Sequence, residues 1–100
     1  VSFEVAYVPN QAGLPGCSPV TVGDLQCNTY APGTVTAADS VAHEFFESIT
    51  DANIDAWYDA QKYEVGDKCD YTYQSCVTLG GTRWQIQEIW SNAISGCQQQ

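Results

Sequence analysis

The single histidine of this 100-residue chain sits among acids. In the run His43-Glu44-Phe45-Phe46-Glu47, His43 and Glu47 are four residues apart, so on a helix they share a face and can converge on one point. Two ligands one turn apart, with a glutamate between them to take a proton from bound water, is the His-Glu-x-x-His arrangement of zinc peptidases. Here Glu47 stands where the second histidine would be. A carboxylate also ligates zinc, so the geometry survives. Two carboxylates and one imidazole would nevertheless neutralise the ion and weaken its pull on the water proton. The competing reading of the same residues is a solvated polar helix face, since short motifs recur by chance.

The acids around this histidine are concentrated. Nine of the 12 lie between Asp39 and Asp70, against three Lys and Arg in the whole chain and a formal net charge of -9. That balance excludes ordinary nucleic-acid binding, which needs a basic footprint, and disfavours anionic membrane surfaces. So many carboxylates make calcium an alternative ion, although the regular Asp-x-Asp-x-Asp-Gly spacing of a calcium loop is absent. No apolar run approaches the ~20 residues of a membrane span. Five cysteines beside little lysine read as a secreted, oxidised protein, with one cysteine left free or bonded outside the chain. The sequence has no Asn-x-Ser/Thr sequon, no nucleophile elbow and no phosphate-cradling glycine loop.

The elements that would position the motif follow from periodicity. Thr36-Ala37-Ala38-Asp39 fits a helix N-cap with an acid in the first turn. Ala38, Val41, Ala42, Phe45, Phe46 and Ile49 then recur at helical spacing to about Thr50. Asp51 and Asn53 suit the exit, and residues 54–62 could form a further short helical segment. Val1 to Val8 alternates as a half-buried strand. Residues 9–34 hold all four prolines and Gly13, Gly16, Gly23 and Gly33, a loop that a Cys17–Cys27 disulfide would staple. Near the end, Val77–Leu79, Gly80-Gly81 and Arg83–Gln87 read as a hairpin. Ile86, Ile89, Trp90, Ala93 and Cys97 offer a helical stripe as the alternative, and Gln98-Gln99-Gln100 reads as a loose tail. Trp57, Tyr58, Trp84 and Trp90 suit a small core first and a sugar or peptide groove second. Organisation is thus one domain or domain fragment. It runs from a strand (1–8) through a Pro/Gly-rich loop (9–34), the motif helix and acidic region (35–70) and a hairpin or strand region (71–97) to the tail (98–100).

Several ordered motifs carry a resemblance. His43-Glu44-Phe45-Phe46-Glu47-Ser48-Ile49-Thr50-Asp51, Ala56-Trp57-Tyr58-Asp59, Glu64-Val65-Gly66-Asp67-Lys68-Cys69 and Trp90-Ser91-Asn92-Ala93 before Cys97 are similar to the phosphate-induced (Exordium-like) family of secreted proteins. The likeness covers roughly residues 39–97. It implies an additional N-terminal β-rich portion, so that this chain would be the C-terminal part of a longer protein. It also implies Cys69–Cys97 and Cys17–Cys27 pairs with Cys76 unpaired or intermolecular. The residues alone leave Cys69–Cys76 open, with Cys97 as the odd one.

A more distant resemblance, to thermolysin-like zincins, rests on Thr50-Asp51 after the motif and on Glu64 and Asp67 downstream. It implies His43, Glu47 and Glu64 as zinc ligands, Glu44 as general base, and Asp67 as the residue that orients a ligand. Asp59 and Asp51 are the next candidates to ligate. The expected fold is α+β and disulfide-stapled, zincin-like, with the motif helix packed on a small sheet. The expected function is a secreted zinc metallopeptidase-like protein acting on a peptide substrate. The alternative is a non-catalytic extracellular or wall-associated assembly protein with a structural metal, self-associating or completed by a companion chain or by an N-terminal segment of the same precursor.

Overall fold

The computed structural model describes residues 3, 5–11, 13–15, 27 and 30–99. Its one helix, α1, runs from Pro32 to Thr50. It starts four residues ahead of the expected cap. Pro32 opens it, where a missing N–H costs nothing and a fixed φ is already helical. No side chain caps this end; the Thr34 and Val35 N–H groups donate to the Ala31 carbonyl instead. Thr36, the expected cap, lies inside the helix, and its hydroxyl donates back to the Pro32 carbonyl at 2.9 Å. The end falls at Thr50, as the periodicity predicts, and the Asp51 N–H closes on the Glu47 carbonyl at 2.7 Å.

The helix expected within 54–62 is not formed; the segment is turns and bends. Two carboxylates take the backbone donors that a helix would use. Asp51 Oδ1 accepts from the N–H groups of Asp55 and Ala56, and Asp59 Oδ1 from those of Gln61 and Tyr63. Ile54 and Lys62 also have φ of 57° and 70°, in the left-handed region that a right-handed helix excludes.

A single 3-10 turn, Asp67–Cys69, leads to two small antiparallel sheets. Strands β1 (Val77–Leu79) and β2 (Thr82–Trp84) pair with Val77 opposite Trp84 and Leu79 opposite Thr82. Gly80 and Gly81 both have positive φ, 58° and 78°, which a two-residue hairpin turn of this hand requires. The return strand stops at Trp84, short of the expected Gln87. Strands β3 (Ile89–Ser91) and β4 (Gly96–Gln98) form the second sheet, so the alternative helical stripe through Ile86 and Cys97 does not exist. Of the expected loose tail, Gln100 lies outside the described residues, and Gln98 and Gln99 are tied down. Gln98 belongs to β4, and the Gln99 amide bonds Ser75 and the Ile86 carbonyl.

Among the described residues of the expected first strand, 3 and 5–8, none is in a strand, and Phe3, Val5 and Tyr7 are exposed. Both sheets are built from residues 77–98 alone and offer this segment no ladder.

Two disulfides join Cys27 to Cys76 and Cys69 to Cys97. The expected Cys17–Cys27 staple is therefore replaced: Cys27 bonds 49 residues ahead, Cys76 is not left over, and Cys17 lies outside the described residues. Short loops are only weakly favoured over long ones, because closure entropy grows with the logarithm of loop length; tertiary placement decides. The Cys69–Cys76 alternative is likewise absent.

Among the described residues the architecture is α+β: one helix, two small antiparallel sheets and two disulfides. The helix buries only part of the face that its pattern suggests. Ala38, Ala42 and Phe46 are half-buried, while Val41, Phe45 and Ile49 are 52 %, 59 % and 62 % exposed. Ala42, Phe45 and Phe46 line an open groove with Leu79 and Ile86. The buried helical residues are Val35, Thr36, Asp39 and Glu47, turned toward the segments around 64–73 and 85–87. Among the described residues the buried apolar set is Cys27, Val35, Val65 and Cys69. No described helix is long and apolar enough to cross a membrane. The two disulfides fit an extracellular, oxidising setting.

Candidate metal centre

His43 and Glu47 lie one turn apart on α1, and the imidazole Nε2 stands 3.0 Å from Glu47 Oε1. The loop after residue 63 brings the other donors. Asp67 Oδ1 is 3.5 Å from the same nitrogen, and the Asp67 N–H donates to Glu47 Oε1 at 3.3 Å. Glu64, three residues earlier, is tied to it through its own N–H on Asp67 Oδ2. Two overlapping groups result, His43–Glu44–Glu47 and Glu47–Glu64–Asp67, and within each one ligand atom per residue lies within 4.8 Å of the others. Glu47, the shared member, is buried, while Glu44 reaches the group from the exposed side.

Gly66 allows this approach. A Cβ there would stand 2.9 Å from Glu47 Oε1 and 3.0 Å from His43 Nδ1 and Cε1. Backbone therefore lies close against the two helical donors, and a side chain there would have to push the ends of Glu47 and His43 aside. The position is held from behind by a chain of hydrogen bonds. Gln87 Nε2 donates to the Gly66 carbonyl at 3.0 Å, and the Gln87 N–H donates to Asp39 Oδ1 at 2.7 Å. The other Asp39 oxygen accepts from the Tyr73 hydroxyl at 2.7 Å. Burial raises the Asp39 carboxyl above the usual range, against these hydrogen bonds, and it pushes the Tyr73 hydroxyl well up, with the Asp39 bond adding to it.

The cluster carries more negative charge than it can balance from within. The hydrogen bond to Glu47 pushes the His43 imidazole up to about 9 despite partial burial. Glu64 is raised by burial first, then by Glu47, Asp51, Asp67 and Glu44 around it. Asp70 is raised by burial, with Asp67 and Glu47 adding and His43 opposing. A proton on His43 thus does part of what a cation would do here. One imidazole nitrogen and several carboxylate oxygens form donor groups that could hold a metal ion.

The other expected residues divide. Asp67, expected to orient a ligand or to ligate in its place, groups with Glu47 and Glu64, one carboxylate oxygen of each lying within 4.8 Å of the others. Asp59 leaves the cluster for Lys68, whose ammonium at 2.7 Å holds its carboxyl below the usual range. Asp51 is buried; Oδ1 organises residues 55 and 56, and Oδ2 has no hydrogen-bond partner. It remains close enough to raise Glu64. Sequence reasoning treated Asp39 as a first-turn acid and missed Tyr73 and Gln87. A visible signal was the polar stripe Thr36, Asp39, His43 and Glu47, itself at helical spacing.

No family model matches this chain, and neither a curated protein nor a solved structure matches it.

Proposed function

We propose that this protein is a secreted zinc-binding protein of the metallopeptidase type, with His43, Glu47 and Glu64 as ligands and Glu44 as general base. The supporting observation is that Glu47 belongs to two donor groups at once, with His43 and Glu44 on the helix side and with Glu64 and Asp67 on the loop side. A bound zinc would supply the Lewis acidity that activates water toward a peptide carbonyl. Glu44, next to His43 and open to solvent, would accept a proton beside that group. Secretion is proposed on the disulfides and on the resemblance to Exordium-like proteins.

Asp67 favours a second reading on the same site. As a fourth donor it would close the ligand shell, and a closed shell is structural rather than catalytic. The protein would then be a non-catalytic extracellular module whose metal fixes the loop to the helix.

Metal analysis of the purified protein, followed by chelation and titration with zinc and with calcium, tests the proposal. Stoichiometric zinc is expected. Neither zinc content nor zinc uptake would sink both readings, and uptake of calcium alone would replace the ion. If zinc binds, casein hydrolysis separates the two. Glu44→Gln is expected to abolish proteolysis with the metal retained, whereas a zinc-loaded wild type without proteolysis supports the structural reading.

A further inference from the structure

A second concave site lies away from the cluster, between the loop around residues 57–63 and β3. It is a cleft of about 410 Å³, within the size range of small-ligand sites. Four aromatic rings line it, those of Trp57, Tyr58, Tyr63 and Trp90, together with the polar side chains of Asp59, Lys68 and Asn92. Trp57 and Tyr63 are 55 % and 54 % exposed, so large ring faces meet water there.

The walls are held in place. The Trp90 indole N–H donates to Asn92 Oδ1 at 2.9 Å, and its backbone N–H donates to the Val65 carbonyl at 3.0 Å. Asp59 ties its own loop, accepting from the Gln61 and Tyr63 N–H groups while its N–H returns to the Tyr63 carbonyl. The same carboxylate holds Lys68 at 2.7 Å. Aromatic faces on braced loops lose little freedom when a ligand settles on them.

Charge narrows the ligand. The Lys68 ammonium lies 4.4 Å from the Trp90 ring centre, and Lys62 lies 3.8 Å from that of Tyr58. The protein's own cations therefore occupy π-faces that a cationic ligand would seek. Lys68 is neutralised by Asp59, and the net charge of -9 repels acidic polymers. What remains is an uncharged ligand with flat apolar faces and a polar edge. A pyranose ring has this form: its C–H face stacks on an indole or phenol, and its hydroxyls reach carboxylate, ammonium and amide.

We infer that this cleft binds a neutral carbohydrate, stacked on Trp57 and Tyr63 and hydrogen-bonded by Asp59, Lys68 and Asn92. The site does not depend on the metal reading, because none of these residues belongs to the cluster.

Calorimetric titration with cellohexaose, laminarihexaose and mannohexaose tests it, with trigalacturonate and a casein peptide as comparison ligands. At least one neutral oligosaccharide is expected to bind and to quench tryptophan fluorescence. Trp57→Ala and Tyr63→Ala, both at exposed positions, are each expected to weaken binding about tenfold with the melting curve unchanged. If none of the three neutral sugars binds, or if either folded variant binds them as the wild type does, the inference is overturned. Preferential binding of the peptide or of trigalacturonate also overturns it.

Discussion

The two faces of α1 are built from opposite materials and meet opposite environments. Val41, Phe45 and Ile49 are the outer half of the apolar stripe and are more than half exposed, while Ala38, Ala42 and Phe46 are half-buried. Thr36, Asp39 and Glu47, with half-buried His43 between them, form the polar stripe and face inward. A helix normally buries its apolar stripe. Here the inward face carries directed bonds, from Asp39 to Gln87 and Tyr73 and from Glu47 to Asp67. The small buried apolar set includes two disulfide cysteines. The inward polar face of the helix is thus held by hydrogen bonds to distant segments, and this is what a site made of inward-pointing acids needs.

The sharpest way to break this comparison is Asp39→Ala. It strands the buried Gln87 N–H and the Tyr73 hydroxyl together. The expected loss is about 3 kcal/mol, since bonds to charged acceptors contribute about 1.5–3 kcal/mol each and burial of the carboxylate offsets part of it. For a domain of this size that lowers the melting midpoint by about 10 °C or more, and an unchanged midpoint would show that the inward face is not what holds the helix.

Next comes Gly66→Ala. The added carbon presses on the ends of Glu47 and His43, which must swing aside. A cost of about 1–3 kcal/mol is expected, with zinc uptake weakened or lost in the same titration that detects it in the wild type.

Protons should distinguish the faces more gently. In chelated protein, His43 rises from 6.5 unfolded to about 9 folded. Its protonated form stabilises the fold, so its contribution is complete below pH 6.5, fades as pH climbs toward 9, and is gone above it. Melting midpoints across that window should therefore fall in the wild type more than in His43→Gln; parallel curves would refute the linkage. The smallest effect belongs to the outer stripe. Ile49→Gln or Val41→Gln is expected to change stability by no more than about 0.5 kcal/mol, and a large melting shift would mean that this face is covered in solution.

The sequence revealed what is local. The end of α1 follows from periodicity, and the β1–β2 hairpin from its Gly80-Gly81 turn. The shared face of His43 and Glu47 follows from spacing. Glu64 entered through resemblance to zincins. What stayed hidden depends on distant partners. Asp39 and Gln87 are 48 residues apart, and Cys27 and Cys76 are 49 apart; nothing in the neighbourhood of either pair announces the other. The direction in which α1 faces is hidden for the same reason, because apolar spacing identifies a stripe but not which stripe turns inward. The 54–62 segment failed as a helix because Asp51 and Asp59 spend their carboxylates on its backbone, a competition that propensity alone does not resolve.

The two disulfides also interlock along the chain. Cys69 lies inside the span closed by Cys27 and Cys76, and Cys76 lies inside the span closed by Cys69 and Cys97. A single peptide-bond cut anywhere between Cys27 and Cys97 therefore leaves two pieces still joined. The exposed stretch 52–58 is where a protease would strike first. Such a nick separates His43 and Glu47 from Glu64 and Asp67 in sequence, yet Cys27–Cys76 keeps the fragments tethered, each at high local concentration for the other. On a gel the nicked protein would run as one species until reductant is added, and extracellular proteolysis at this loop would not by itself disperse the donor set.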